Sequence, residues 1–203
     1  MKERLDEVVG RDVPRETFER LLKYESLLRD EADRQNLVSR GTLDALWERH
    51  ILDSAQLVRF EPRRGASWLD IGAGAGLPGI VVACLVEGPV TLAEPRRLRA
   101  EFLHKVVDVL NLRCEILCAK AERIEGSFDM ITARAVAPLS ELLKLSLHLS
   151  TRNSLWVLPK GRNAQSEVAE ARRSWQGRFH VERSLTDENS GIVVGTDVKA
   201  KRT

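Results

Sequence analysis

Apolar residues recur at helical spacing through the first sixty positions. Phe18, Leu21, Leu22, Leu28 and Ala32 predict one helix, with Pro14 in its first turn and Asp12 as its cap. A break follows from Asn36 to Gly41. Leu43, Leu46, Trp47, Ile51, Leu52 and Leu57 then predict a second helix, capped by Thr42. Glu61-Pro62-Arg63-Arg64-Gly65 reads as a turn and a boundary. Residues 1–62 are therefore expected to form a helical cap, and residues 63–203 a second unit.

From Ser67 the rhythm changes. Strand-like runs at Ser67–Ile71, Val90–Glu94, Cys114–Cys118, Phe128–Arg134 and Leu155–Leu158 alternate with helical patterns. These start at Leu77, pass through Phe102, Leu103, Val106 and Leu110, and cover Pro138–Leu149 and Asn163–Trp175. Such alternation predicts an α/β fold with a mostly parallel, doubly wound sheet. The end differs. Arg178–Ser184 and Gly191–Val198 flank the turn-rich Thr186-Asp187-Glu188-Asn189-Ser190 and predict an antiparallel hairpin. Seven strands are expected in all.

Composition narrows the reading only a little. The chain has 203 residues and a formal net charge of +2, so nucleic-acid contact would need a local patch rather than bulk charge. Cys84, Cys114 and Cys118 lie in apolar runs without a nearby histidine and read as buried structural thiols, with no metal site. The start, MKERLDEVVG, lacks the apolar segment of a signal peptide, and the longest apolar stretch, Ile80–Val86, is too short for a bilayer. A cytoplasmic protein without membrane contact is expected.

The densest chemical signal is WLDIGAGAGLPG, from Trp68 to Gly79. A glycine-rich turn between a first strand and a helix is where doubly wound folds bind nucleotides, because bare backbone lets a ligand approach. Pro78 suits the first turn of that helix. The dinucleotide pattern G-x-G-x-x-G, begun at Gly72, would need glycine where Leu77 stands; begun at Gly74 it encloses Pro78. Asp70-Ile71-Gly72-Ala73-Gly74-Ala75-Gly76 fits D-x-G-x-G-x-G, the form typical of S-adenosylmethionine sites. There Asp70 would help place the ammonium of the cofactor's amino-acid tail, directly or through water. Glu94, ending the second strand, is placed to accept hydrogen bonds from ribose hydroxyls. Ala121 and Glu122, after the third strand, are candidates to lie along an adenine edge.

Several segments together resemble a known family. Asp70–Ile80 (DIGAGAGLPGI), Arg49-His50-Ile51-Leu52-Asp53-Ser54, Asn36-Leu37-Val38-Ser39, Ala133-Arg134-Ala135-Val136-Ala137-Pro138-Leu139 and Lys160-Gly161 occur in the order and spacing of the glucose-inhibited division protein B family. These are guanine-N7 methyltransferases of small-subunit ribosomal RNA, and the resemblance spans roughly residues 14–198. It implies a class I methyltransferase fold, S-adenosyl-L-methionine as donor, and N7 methylation of one guanine in 16S ribosomal RNA. Matched by motif, Gly72, Gly74 and Leu77 would line the cofactor loop and Ala121 and Glu122 would flank the adenine. Arg134 would stand beside both cofactor and incoming base, as cofactor ligand and catalytic residue. Glu94 replaces a more usual aspartate, Pro159 precedes Lys160, and Asp187-Glu188-Asn189-Ser190-Gly191 stands where relatives often carry a basic pair.

Guanine N7 has a free lone pair at neutral pH, and no proton leaves it during methylation. No general base is required, and none is assigned. His50 is expected to hold the cap against the sheet, with Asp53 as a partner three residues on. Lys160 and Arg162 are expected to contact RNA phosphate, with Arg49 and Asn36 also on the RNA-facing side. The partner is expected to be 16S ribosomal RNA, within the small subunit or an assembly intermediate, met by a monomer. Two other readings stay open on the residues alone: a methyltransferase for another RNA, a protein or a small molecule, and a non-catalytic cofactor-sensing factor associated with the ribosome.

Overall fold

The structure is a computed structural model, and it describes residues 1–32, 34, 35, 37, 41 and 44–201. The chain opens with α1 (Lys2–Val9) and α2 (Arg15–Ala32). Pro14 immediately precedes α2 and offers its carbonyl to the amides of Thr17 and Phe18. Asp12 is not its cap, because its carboxylate meets Lys2 at 2.9 Å. The Thr42 cap and Leu43 lie outside the described residues. The second expected helix is a run of mixed geometry: Trp47–Leu52 in π form, the α-helical turn α3 (Asp53–Ala55), then Gln56–Phe60 as 3-10 helix. A π turn widens the coil and re-aims side chains, and this one carries Arg49 and His50.

Seven strands follow: β1 (Trp68–Ile71), β2 (Val90–Ala93), β3 (Cys114–Leu117), β4 (Phe128–Thr132), β5 (Ser150–Gly161), β6 (Trp175–Arg183) and β7 (Gly191–Ala200). The helices between them are α4 (Gly79–Leu85), α5 (Arg97–Leu110), α6 (Leu139–Ser146) and α7 (Ala164–Ser174). The sheet order is β3-β2-β1-β4-β5-β7-β6, parallel through the first five, with β7 antiparallel to both neighbours. This is the expected doubly wound sheet with a terminal hairpin. β5 is longer than its apolar segment Leu155–Leu158 because Ser150 still pairs with Phe128. Its polar first half, Ser150-Thr151-Arg152-Asn153-Ser154, concealed it.

Two hydrophobic clusters cover the two faces. Along β1 and β4, Trp68, Asp70, Met130 and Thr132 share one face, while Leu69, Ile71 and Ile131 share the other. On the first face, α4, α5 and the N-terminal helices pack together. Leu21, Tyr24, Leu28, Ile51 and Leu57 join Trp68, Ile80, Leu92 and Leu103 in a single cluster. The helical cap therefore buries its apolar side chains against the sheet rather than within itself. The other face is closed by α6 and α7 through Leu139, Leu143, Val168 and Ala171.

The cysteines depart from expectation. Cys84 is buried and its thiol is pushed up to about 12 by desolvation, but Cys114 is half-buried and Cys118 is exposed. Cys118 follows the last residue of β3, outside the strand.

Candidate functional site

The loop from β1 to α4 is built on left-handed glycines. Gly72, Gly74 and Gly76 have φ of +67°, +57° and +96°, a region other residues enter at a cost. The amides of Gly72 and Ala73 donate to Ala93 O at 2.8 and 3.0 Å, so the loop is tied to the end of β2. Pro78 sits one residue before α4 rather than within it.

The glycines answer to different neighbours. A Cβ at Gly72 would meet Val136 Cγ2 at 2.6 Å. One at Gly76 would meet Ile80 Cγ1 at 2.5 Å and Tyr24 Oη at 2.9 Å, and one at Gly79 would meet Asp70 Oδ2 at 2.6 Å. At Gly74 the nearest atom is Arg99 Nη1, at 3.5 Å. Gly74 is thus the point where the loop backbone stands open, and the other three are demanded by packing. Leu77 turns its side chain into the core.

Glu94 is buried at the loop's edge. Its Oε2 accepts from Gly74 N and its Oε1 from Arg96 N, both at 2.8 Å. Each carboxylate oxygen has a second lone pair, so the group still has acceptors for two hydroxyls. Asp70 lies beneath the loop. Its Oδ2 accepts from Gly79 N at 2.8 Å, while its Oδ1 has no hydrogen-bonding partner among the described residues. Burial pushes the Asp70 carboxyl up to about 7, against the opposing pull of the Gly79 N–H and the Arg134 charge. Thr132, its register partner on β4, also has a buried hydroxyl without a hydrogen-bonding partner among the described residues. On the other side, Ala121 is buried and Glu122 exposed in a 3-10 turn, Ala121–Arg123, after β3. A bare loop at Gly74, the paired carboxylate oxygens of Glu94 and an unsatisfied acid at Asp70 fit a ribonucleoside bearing a cationic tail, as S-adenosylmethionine does.

Next to the loop, the end of β4 opens into a cleft of about 690 Å³ that gathers Arg49, His50, Asp53, Arg134, Arg162 and Asp187. Arg134 Nη1 lies 3.5 Å from Asp53 Oδ2, with both side chains 20% exposed. Asp53 Oδ1 accepts from Gln56 Nε2 at 2.8 Å and from Thr186 Oγ1 at 3.0 Å. Gln56, 1% exposed, also donates to Ser184 Oγ and accepts from Leu185 N. The N-terminal helical run, the end of β4 and the hairpin turn are thereby joined through one polar network. Burial lowers the His50 pKa to about 4, with Arg134 and Arg49 acting in the same direction. At neutral pH its imidazole carries no charge. Its expected partner Asp53 is engaged with Gln56, Thr186 and Arg134 instead.

Of the expected RNA contacts, Arg49 and Arg162 are exposed and line this cleft. Asn36 lies outside the described residues. Lys160 faces inward: its Nζ donates to Ala137 O at 2.6 Å and pairs with Glu167 Oε2 at 3.0 Å, with 8% of the side chain exposed. Its ammonium ties β5 to the chain before α6 and is turned away from solvent, so its placement does not match a surface phosphate contact. Tyr24, Gln56 and Thr186 were not singled out by the sequence. Gln56 had no signal of its own, being one of three polar residues, with Asp53 and Ser54, in Ile51–Val58. Among the described residues no cluster could hold a metal ion, and no helix is long and apolar enough to cross a membrane.

Comparison with known proteins gives the family and the fold. The family model described as rRNA small subunit methyltransferase G matches residues 17–190. A curated protein from Zymomonas mobilis subsp. mobilis, named ribosomal RNA small subunit methyltransferase G, is 45% identical, over 98% of this chain and 93% of its own length. Among solved structures, a SAM dependent methyltransferase from Aquifex aeolicus superposes with a TM-score of 0.59 at 14% identity, over 75% of this chain and 92% of its own. A mutant of MtNAS in complex with S-adenosylmethionine does so with a TM-score of 0.59 at 17% identity, over 84% and 72%. These two likenesses concern the fold.

Proposed function

The chain belongs to the rRNA small subunit methyltransferase G family, S-adenosylmethionine-dependent enzymes that methylate 16S ribosomal RNA, and from that premise we propose that it acts on N7 of a single guanine by direct attack of the ring nitrogen on the sulfonium methyl. One observation carries this reading: the cleft holding Arg49, Arg134 and Arg162 adjoins the glycine loop, since Val136, two residues beyond Arg134, lies against Gly72.

The chemistry asks for placement. S-adenosylmethionine, when bound, supplies the electrophilic methyl. The chain supplies a rigid loop at Gly72–Gly76, Glu94 for the ribose hydroxyls, Asp70 for the tail ammonium, and Ala121 and Glu122 for the adenine edge. Arg134 holds the guanine edge or its phosphate, anchored in turn by Asp53. Arg49 and Arg162 take backbone phosphates along the cleft. Holding N7, methyl carbon and sulfur in line, with water excluded, supplies most of the acceleration. With its pKa lowered to about 4, the His50 imidazole is a weak base, in keeping with a reaction in which no proton is abstracted. Because N7 lies on the major-groove edge, the target base is splayed from its loop to reach the methyl. The enzyme works as a cytoplasmic monomer on RNA in the small subunit or an assembly intermediate.

The test is methyl transfer from labelled S-adenosylmethionine to unmodified small subunits, to their extracted RNA and to an unrelated RNA, followed by identification of the labelled nucleoside. Label on guanine N7 at one site in the ribosomal substrates, with the unrelated RNA unlabelled, is the expected result. Label on another atom, or on all three substrates alike, overturns the reading.

A further inference from the structure

Tyr24 is carried on α2, far in sequence from the glycine loop, yet it is 0% exposed and its hydroxyl donates to Ala75 O at 2.9 Å. Ala75 lies between Gly74, where the loop backbone is open, and Gly76, whose missing Cβ leaves room for the Tyr24 hydroxyl. The loop is thus gripped from two sides. Glu94 holds the amide of Gly74 from the β2 side, and Tyr24 holds the carbonyl of Ala75 from the cap side. The carbonyl is turned toward the cap, which fixes the orientation of the Ala75–Gly76 peptide and hence the path on which Gly74 presents its bare backbone. The Arg134 charge reaches the same hydroxyl, working against the upward push that burial gives its pKa.

We propose that Tyr24 is a positioning residue for the cofactor: through its hydroxyl, the N-terminal helical cap sets the conformation of the Gly74–Gly76 loop and so the affinity for S-adenosylmethionine. The cap then has a second task besides facing RNA. This inference rests on the glycine loop being the cofactor site.

Tyr24→Phe deletes the hydroxyl and keeps the ring. Binding of S-adenosylmethionine and S-adenosylhomocysteine to the full chain is measured by calorimetry, alongside the KM for RNA at saturating cofactor and the thermal midpoint. Leu28→Val, on the same helix and in the same core but with no bond to the loop, serves as a stability-matched control. Tyr24→Phe is expected to weaken both ligands by about three- to tenfold, the size of one lost buried hydrogen bond. The KM for RNA stays level, and Leu28→Val lowers the midpoint without touching cofactor affinity. An effect below about twofold in Tyr24→Phe, or equal weakening in Leu28→Val, assigns Tyr24 to general stability and overturns the proposal. Glu94→Gln separates the underlying reading: wild-type cofactor affinity in that variant would mean that the loop and its acid are not the cofactor site, whatever Tyr24→Phe does.

Discussion

Asp53, on the N-terminal helical run, faces Arg134, at the end of β4, across 3.5 Å. At that separation and 20% exposure the charge pair itself contributes modestly, about 1 kcal/mol or less after screening. The larger effect is orientation, because the other Asp53 oxygen is fixed by Gln56 and Thr186. Asp53→Ala should therefore cost about 1–3 kcal/mol in denaturant unfolding, from the hydrogen bonds that Gln56 and Thr186 lose, and lower kcat. Asp53→Asn keeps an acceptor for the network and removes the charge. It should recover most of the stability and little of the kcat. Equal recovery of both would show that Arg134 does not depend on Asp53.

The glycines make a paired prediction. Gly76→Ala drives a methyl into Ile80 and the Tyr24 hydroxyl, so it should destabilise the fold by about 2–4 kcal/mol through overpacking and strain. Gly74→Ala meets nothing closer than 3.5 Å and pays only for its left-handed backbone, about 1–2 kcal/mol. Its main loss should be cofactor affinity, because the methyl stands where the loop is open. Gly76→Ala should show the lower unfolding midpoint, and Gly74→Ala should lose cofactor affinity out of proportion to its loss of stability.

This pair shows how far the sequence could be read. The run Gly72–Gly79 announced a bare-backbone turn, and the alternation after Ser67 announced the sheet, because both signals are local. That Gly76 and Gly79 serve packing was not legible, since it depends on Tyr24, Leu103 and Leu92 arriving from elsewhere. The same holds for Lys160. A lysine at the end of a fifth strand looks solvent-facing until Glu167, in the first turn of α7, is seen to claim it. The family resemblance marks Arg49 and Arg134, and its place at the end of the fifth strand marks Arg162. Their meeting in one cleft follows from the packing of the cap beside the ends of β4 and β5.

The buried Asp70 and the half-buried His50 give stability an opposed dependence on pH. The Asp70 carboxyl has a folded pKa of about 7 against an ordinary 3.8, so the folded chain holds this proton more tightly than the unfolded one. Its contribution is full at low pH and is lost as pH rises toward 7. His50, at about 4 against 6.5, behaves in reverse: its contribution is full above 6.5 and is lost as pH falls toward 4. Asp70→Asn keeps an acceptor for Gly79 N and removes the first dependence. Thermal midpoints of Asp70→Asn relative to the unmodified chain should rise steadily from pH 4 to pH 7 and level off above it. A constant offset across that range would mean that Asp70 is ionised throughout.

Lys160 and Arg162 sit two residues apart at the end of β5 and should fail in different assays. Removing the Lys160 ammonium leaves Glu167 facing the interior, still bonded to Leu139 N but without its cation. Breaking such a pair by deleting one partner costs about 3 kcal/mol when the survivor is buried, and Glu167 at 20% exposure should lose somewhat less. Lys160→Ala should accordingly lower the unfolding midpoint while leaving the salt dependence of RNA binding as it was. Arg162→Ala should do the converse. Its side chain is exposed on the cleft, so stability should hold within about 0.5 kcal/mol. If it neutralises one phosphate, the slope of log K against log salt should fall by about 0.7–0.9. A slope change in Lys160→Ala without loss of stability would mean that the lysine leaves Glu167 to meet the RNA, and that the inward pair is broken on binding.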